Sequence, residues 1–172
     1  MEKAGFAVCF TGHRPKKLPF AESSPAFFAL SERVYAELLS LCGEGANTLY
    51  FGMAEGCDLM FGECAVRLRN VFPHVKLIAA IPFRGQAAKF SAGSRARYRA
   101  LLDAADECVL AGGDPGRGCM RRRNEYMVDR SERVLAVFDG SPGGTAYTVA
   151  YAKRQGKAVT VIDPRLFCSP RL

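Results

Sequence analysis

The 172 residues are 49% hydrophobic and 24% charged, with Gly and Pro spread between apolar runs, which excludes a disordered or fibrous chain and fits a single hydrophobic core. No apolar stretch approaches the roughly 20 residues that span a bilayer, and the N-terminus leads into a short strand-like run rather than a signal peptide, so a cytoplasmic protein without membrane contact is expected. The formal net charge of +7 points to an acidic counterpart, which composition leaves open between nucleic acid, a phosphorylated small molecule and simple solvent ions.

Seven cysteines form an odd set without a CxxC, and the two histidines, His13 and His74, lie far apart. Neither a disulfide framework nor zinc-ligand spacing results, so reduced thiols and no metal are expected.

The apolar run at 4–10 (AGFAVCF) reads as a buried strand that ends in the turn Thr11-Gly12-His13-Arg14-Pro15. Ser24 and Pro25 mark a helix start, and Phe27, Leu30, Val34, Leu38 and Leu41 recur at helical spacing up to a stop at Gly43. A second strand at 48–51 (TLYF) breaks at Gly52-Met53-Ala54-Glu55-Gly56, and a helix follows from Asp58. The unit then repeats: a strand at 76–81 before Pro82, a helix at 95–105, a strand at 107–111, a helix at 120–129 and a strand at 133–138. After Asp139-Gly140-Ser141-Pro142-Gly143-Gly144 come a helix at 145–155 and a last strand at 158–162. Strands alternating with helices predict an α/β, Rossmann-like three-layer fold, with a mostly parallel sheet of about six strands and helices on both faces. One domain is expected over 1–172, with a surface tail at 164–172.

In such sheets ligands bind beyond the carboxyl ends of the strands, where strand order reverses. The loops placed there nominate Thr11, Gly12, His13, Arg14, Gly52, Met53, Ala54, Gly56, Asp58, Pro82, Arg123, Asn124, Asp139, Gly143, Gly144 and Thr145 as ligand contacts. Gly143-Gly144-Thr145, at a helix start, is the best phosphate cradle among them, because free backbone N–H groups and the positive end of the helix dipole favour an anion. Arg14, Lys16 and Lys17 follow the first strand, Arg84 and Lys89 the third, and Arg117, Arg121, Arg122 and Arg123 the fourth, predicting a positive rim. His13 reads as a ligand contact, and Asp58 as a helix cap or a ribose acceptor. Neither GxGxxG nor GxxxxGK[ST] occurs, so a standard dinucleotide or Walker-type site is not expected.

Four strings taken together, CFTGHRP at 9–15, GMAEGCD at 52–58, RNEYMVDRS at 123–131 and DGSPGGT at 139–145, resemble the YpsA-like branch of the SLOG (SMF/DprA and LOG) superfamily. The resemblance spans nearly the whole chain and implies a Rossmann-like fold with a pocket for a nucleotide or nucleotide-derived phosphate ligand. Two alternatives follow from better-known relatives. Lonely Guy phosphoribohydrolases cleave the N-glycosidic bond of nucleoside monophosphates, and DNA-processing proteins bind single-stranded nucleic acid. The hydrolase motif RKxxM is similar to Arg123-Asn124-Glu125-Tyr126-Met127, which makes Arg123 the one catalytic candidate. The motif PGGxGTxxE is similar to the segment from Pro142 to Thr148 but shortened, with Thr148 where the catalytic glutamate would stand and only Glu125 or Asp139 as substitutes. Binding or sensing is therefore the leading reading, with a nucleotide-type ligand and no identified cofactor. Helix faces rich in Leu and Phe are compatible with a homo-oligomer.

Overall fold

The computed structural model describes residues 5–169. Six strands alternate with five helices: β1 (Phe6–Gly12), α1 (Pro25–Gly43), β2 (Ala46–Phe51), α2 (Cys57–Leu68), β3 (Lys76–Ile81), α3 (Ala92–Ala104), β4 (Glu107–Leu110), α4 (Cys119–Asp129), β5 (Arg133–Val137), α5 (Gly144–Arg154) and β6 (Ala158–Ile162). Short 3-10 helices lie at Pro15–Lys17, Gln86–Lys89 and Pro164–Phe167. No described helix is long and apolar enough to cross a membrane.

All strand pairs are parallel, in the order β4-β3-β2-β1-β5-β6. Right-handed crossovers running from β1 outward to β4 put α1, α2 and α3 on one face. The return to the other side of β1 puts α4 and α5 on the opposite face, so strand order reverses between β1 and β5. The larger core lies under α1 to α3, with Phe10, Leu30, Leu38, Leu49, Phe51 and Phe61 at its centre. The smaller one, under α4 and α5, is built from Cys9, Ala80, Met127, Val128, Val134 and Ala152.

Local chemistry sets the element ends. The Ser24 hydroxyl accepts the Phe27 amide with Pro25 in the first helical turn, which starts α1 where the sequence predicts. β1 runs two residues beyond the predicted Phe10, because Thr11 and Gly12 pair with Ala136 and Val137. Ala4, the predicted strand start, lies outside the described residues. α3 starts at Ala92 rather than 95, since Ser91 caps it by accepting the Ser94 amide. Within the expected tail, Pro164 is buried and Phe167 packs on the larger core, while Arg165 and Leu166 face solvent. All seven cysteines are free thiols, and only Cys108 and Cys168 are exposed.

Phe61 is fully buried, stacked on Phe10 with ring centroids 4.5 Å apart and inclined to Phe51 at 6.0 Å. Phe61→Ala is expected to lower unfolding stability by about 3–5 kcal/mol in urea titration. A loss below about 1 kcal/mol would mean that this aromatic cluster does not anchor α2 to the sheet.

Candidate functional site

A cavity of about 300 Å³ opens at the carboxyl ends of the strands, where their order reverses. β1 and the turn after it contribute Thr11, Gly12, His13 and Arg14, and the following 3-10 helix contributes Lys16 and Lys17. Ala54 comes from the loop after β2 and Asp58 from the start of α2, Met120, Arg123 and Asn124 from α4, and Gly144 and Thr145 from the first turn of α5.

Arg123 forms the floor. Its side chain is 3% exposed, and Nη1 donates to the Gly52 carbonyl and, at 3.2 Å, to that of Ala80, while Nε donates to Asn124 Oδ1 at 2.7 Å. Burial lowers its pKa, and the nearby Asp58 pulls it back up. Gly52 is required by this close approach, because a Cβ there would lie 2.6 Å from the Arg123 guanidinium carbon and 2.9 Å from Asp58 Oδ2. Asp58 accepts the Ala54 amide at 3.2 Å. Burial pushes its carboxyl up, opposed by Arg123, the Ala54 amide and Arg14. Met53, between Gly52 and Ala54, is the one described non-glycine residue with positive φ, at 65°, and it is fully buried. A strained residue locked into the core at this point fixes the path of the loop that carries Ala54.

His13 is 2% exposed, and its Nε2 lies 2.8 Å from Asp139 Oδ1 and 3.2 Å from the Asp139 amide nitrogen. Hydrogen bonds from Ser141, then His13, hold the Asp139 carboxyl well below the usual carboxylate range. Asp139 is thus ionised, and its carboxylate and backbone amide both face His13 Nε2 and orient the ring. The turn after Asp139 leads into α5, whose N-cap, Gly143, offers no side chain to its first amides. Lys17 reaches over this turn and donates to the Pro142 carbonyl. Arg14 and Lys16 stay exposed at the mouth. Asp58 is the only carboxylate in the wall, against Arg14, Lys16, Lys17 and Arg123. This balance suits an anion, with the free amides of α5 pointing at it.

The sequence-predicted contacts divide accordingly. Thr11, Gly12, His13, Arg14, Ala54, Asp58, Arg123, Asn124, Gly144 and Thr145 line the cavity. Gly52, Met53, Gly56, Pro82, Asp139 and Gly143 do not; they support it from beneath or behind. Gly56 lies against the His13 carbonyl and Pro15, and Pro82 lies against Gly112. The predicted rim is also narrower than expected. Arg122 donates to the carbonyls of Gly112 and Asp114, Arg121 pairs with Glu125, and neither they nor Arg84 and Arg117 face the cavity. Phe10 and Met120 were not predicted; apolar residues at element ends carry no sequence signal for a site.

The hydrolase-like segment is structural here. Thr148 is 1% exposed, accepts from Asn124 Nδ2 at 2.9 Å and donates to the Gly144 carbonyl at 2.9 Å, tying α5 to α4. Glu125 points away from the cavity, accepting from Tyr147 and Arg121.

A second cavity, about 760 Å³, shares Arg14, Lys16, Ala54 and Met120 with the first. Phe83, Gln86, Lys89 and Phe90 form its far side.

Residues 8–165 match a family model, YpsA, described as the YspA SLOG family. The SPbeta prophage-derived protein YoqJ of Bacillus subtilis is 33% identical over 144 residues, covering 76% of this chain and 84% of that one. A UPF0398 protein of Halalkalibacterium halodurans is 26% identical over 152 residues, covering 86% and 80%. Among solved structures the fold is similar to DNA processing protein A from Helicobacter pylori, described for its single-stranded DNA binding mode (TM-score 0.61, 18% identity, 91% of this chain and 64% of that one). It is also similar to DNA processing protein A from Streptococcus pneumoniae (TM-score 0.62, 20% identity, 92% and 50%), so this chain spans about half to two thirds of those proteins.

Because the folded-state pKa of Asp139 is depressed, its contribution is present above the unfolded value of about 4 and is lost as pH falls below it. Thermal unfolding between about pH 3 and pH 6 should show stability falling on the acid side, with a shallower fall in Asp139→Asn. Identical slopes in the two proteins would remove Asp139 as an ionised partner of His13.

Proposed function

This chain belongs to the YspA SLOG family, and we propose that its smaller cavity binds the phosphate of a nucleotide or nucleotide-derived ligand. The observation that carries the reading is the convergence of Arg14, Lys16, Lys17 and Arg123 with the uncapped N-terminus of α5 on one cavity. Phosphate oxygens would accept from the first amides of α5, with Arg14 and Lys16 closing over them. Arg123 would supply charge from the floor without moving, since carbonyls at the ends of two strands already hold it. His13, oriented by Asp139, would contact the ligand from the β1 side.

The reading is of binding rather than turnover. The position of the hydrolase glutamate is taken by Thr148, whose hydroxyl is committed to Asn124 and Gly144, and Glu125 faces Tyr147 and Arg121. Nothing in that segment supplies a carboxylate to stabilise a developing oxocarbenium ion.

A second reading is single-stranded nucleic-acid binding at the same rim. It is supported by the net charge of +7 and by the fold likeness to the Helicobacter pylori protein described for that activity. The two readings differ in salt response: a strand that displaces many counterions loses affinity steeply between about 50 and 200 mM salt, whereas a mononucleotide loses little.

In a thermal-shift screen, a nucleoside monophosphate at about a hundredfold excess over its Kd should stabilise the protein by about 2.7 kcal/mol. A Cβ on Gly144 would meet no heavy atom within 4 Å, so Gly144→Asp should keep the wild-type melting temperature while its carboxylate repels the phosphate. Binding should weaken by more than about a hundredfold, from repulsion and the blocked amides together. Unchanged binding in the variant would place the anion elsewhere.

A further inference from the structure

We infer that the larger chamber is a base-recognition pocket, in which Gln86 accepts a hydrogen bond from an amino group of the nucleobase while the sugar phosphate occupies the smaller cavity. The inference rests on the proposed phosphate site and extends it to the part of the ligand that confers selectivity.

The two spaces meet at Arg14, Lys16, Ala54 and Met120, so a ligand anchored by phosphate at α5 extends past Met120 into the chamber. Phe83 and Phe90 line it with Met120, giving flat apolar surface of the kind on which bases stack. Phe90 is held edge-on by Tyr98, at 5.8 Å and 87°. Phe83 is half-buried and outside the core clusters, free to adjust to a ring.

Gln86 supplies the specific group. It opens the 3-10 helix Gln86–Lys89, is 6% exposed, and its Nε2 donates to the Gly52 carbonyl at 3.0 Å. That bond fixes the amide, since a flipped amide would set oxygen against oxygen. Oε1 is consequently an acceptor of known orientation, and it is the one buried side-chain polar atom among the described residues without a hydrogen-bond partner. A buried, preoriented acceptor discriminates strongly between a ligand that brings a donor and one that does not. Gln86 is part of the chamber lining, with Oε1 itself buried beneath that surface. The same Gly52 carbonyl receives Arg123, so one backbone oxygen ties the base pocket to the phosphate floor.

Isothermal titration of the full chain with ribose 5-phosphate, adenosine, cytidine, guanosine and uridine monophosphates, and purine riboside 5′-monophosphate, which lacks the adenine amino group, tests this. At least one amino-bearing nucleotide should bind about tenfold or more tighter than ribose 5-phosphate. If it is the adenine nucleotide, the purine riboside analogue should lose most of that gain; if it is the cytidine or guanosine nucleotide, uridine monophosphate or, in a further titration, inosine 5′-monophosphate should. Gln86→Met, in which Arg123 still holds the Gly52 carbonyl, and Phe83→Ala should each bring the nucleotide close to ribose 5-phosphate affinity while leaving ribose 5-phosphate itself unchanged. That retained binding also reports that the variants are folded. If ribose 5-phosphate binds but no nucleotide binds tighter, or if removing the amino group costs nothing, the base pocket is overturned and the phosphate site stands. If neither ribose 5-phosphate nor any nucleotide binds, the phosphate site falls and the inference with it.

Discussion

A guanidinium buried under the ends of two strands is the constraint on which this site depends. Taking a charge out of water is costly, and burial of Arg123 lowers its pKa accordingly. The cost is offset by the carbonyl oxygens of Gly52, just after β2, and Ala80, near the end of β3, which accept from its guanidinium. Once Arg123 is in place, residue 52 has no room for a side chain, α4 must cross the sheet edge at this level, and Asp58 sits close enough to gain from the positive charge. The cavity wall is largely what these requirements leave.

The architecture was legible in the sequence because each strand is a short apolar run closed by a glycine or proline turn, and each helix repeats at its own period. Two strands, Lys76–Ile81 and Ala158–Ile162, have their predicted bounds. Ends drifted where a partner rather than a side chain decides: Thr11 and Gly12 are strand because β5 offers them backbone groups, and sequence pattern carries no trace of that. Helix α3 began early because a serine hydroxyl caps it, a signal that Ser91 does give and that periodicity alone passes over.

At the site, loop position was readable and depth was not. Gly52, Met53 and Gly56 lie in the right loop, yet they face inward, toward Arg123, the core and the His13 carbonyl. Asp139 likewise is absent from the cavity wall and touches His13, which lines it. The arginine run at 121–123 illustrates the same limit, since helical rotation sends its three neighbours in different directions and only Arg123 to the cavity. Of the second chamber only the basic residues and Ala54 were readable, and Gln86 was not, because the segment Gln86–Lys89 has neither helical nor strand period.

The connection from β4 to β5 leaves one edge of the sheet and re-enters beside its first strand, carrying α4 with it. The smaller cavity is therefore a seam: one wall belongs to the N-terminal half of the chain, the other to α4 and α5, and only sequence-distant pairings bring them together. Such pairings close the largest loops and carry the largest closure entropy. An occupant gripping both walls would act as a clasp across that seam, making the integrity of the C-terminal half responsive to how much ligand the surroundings hold.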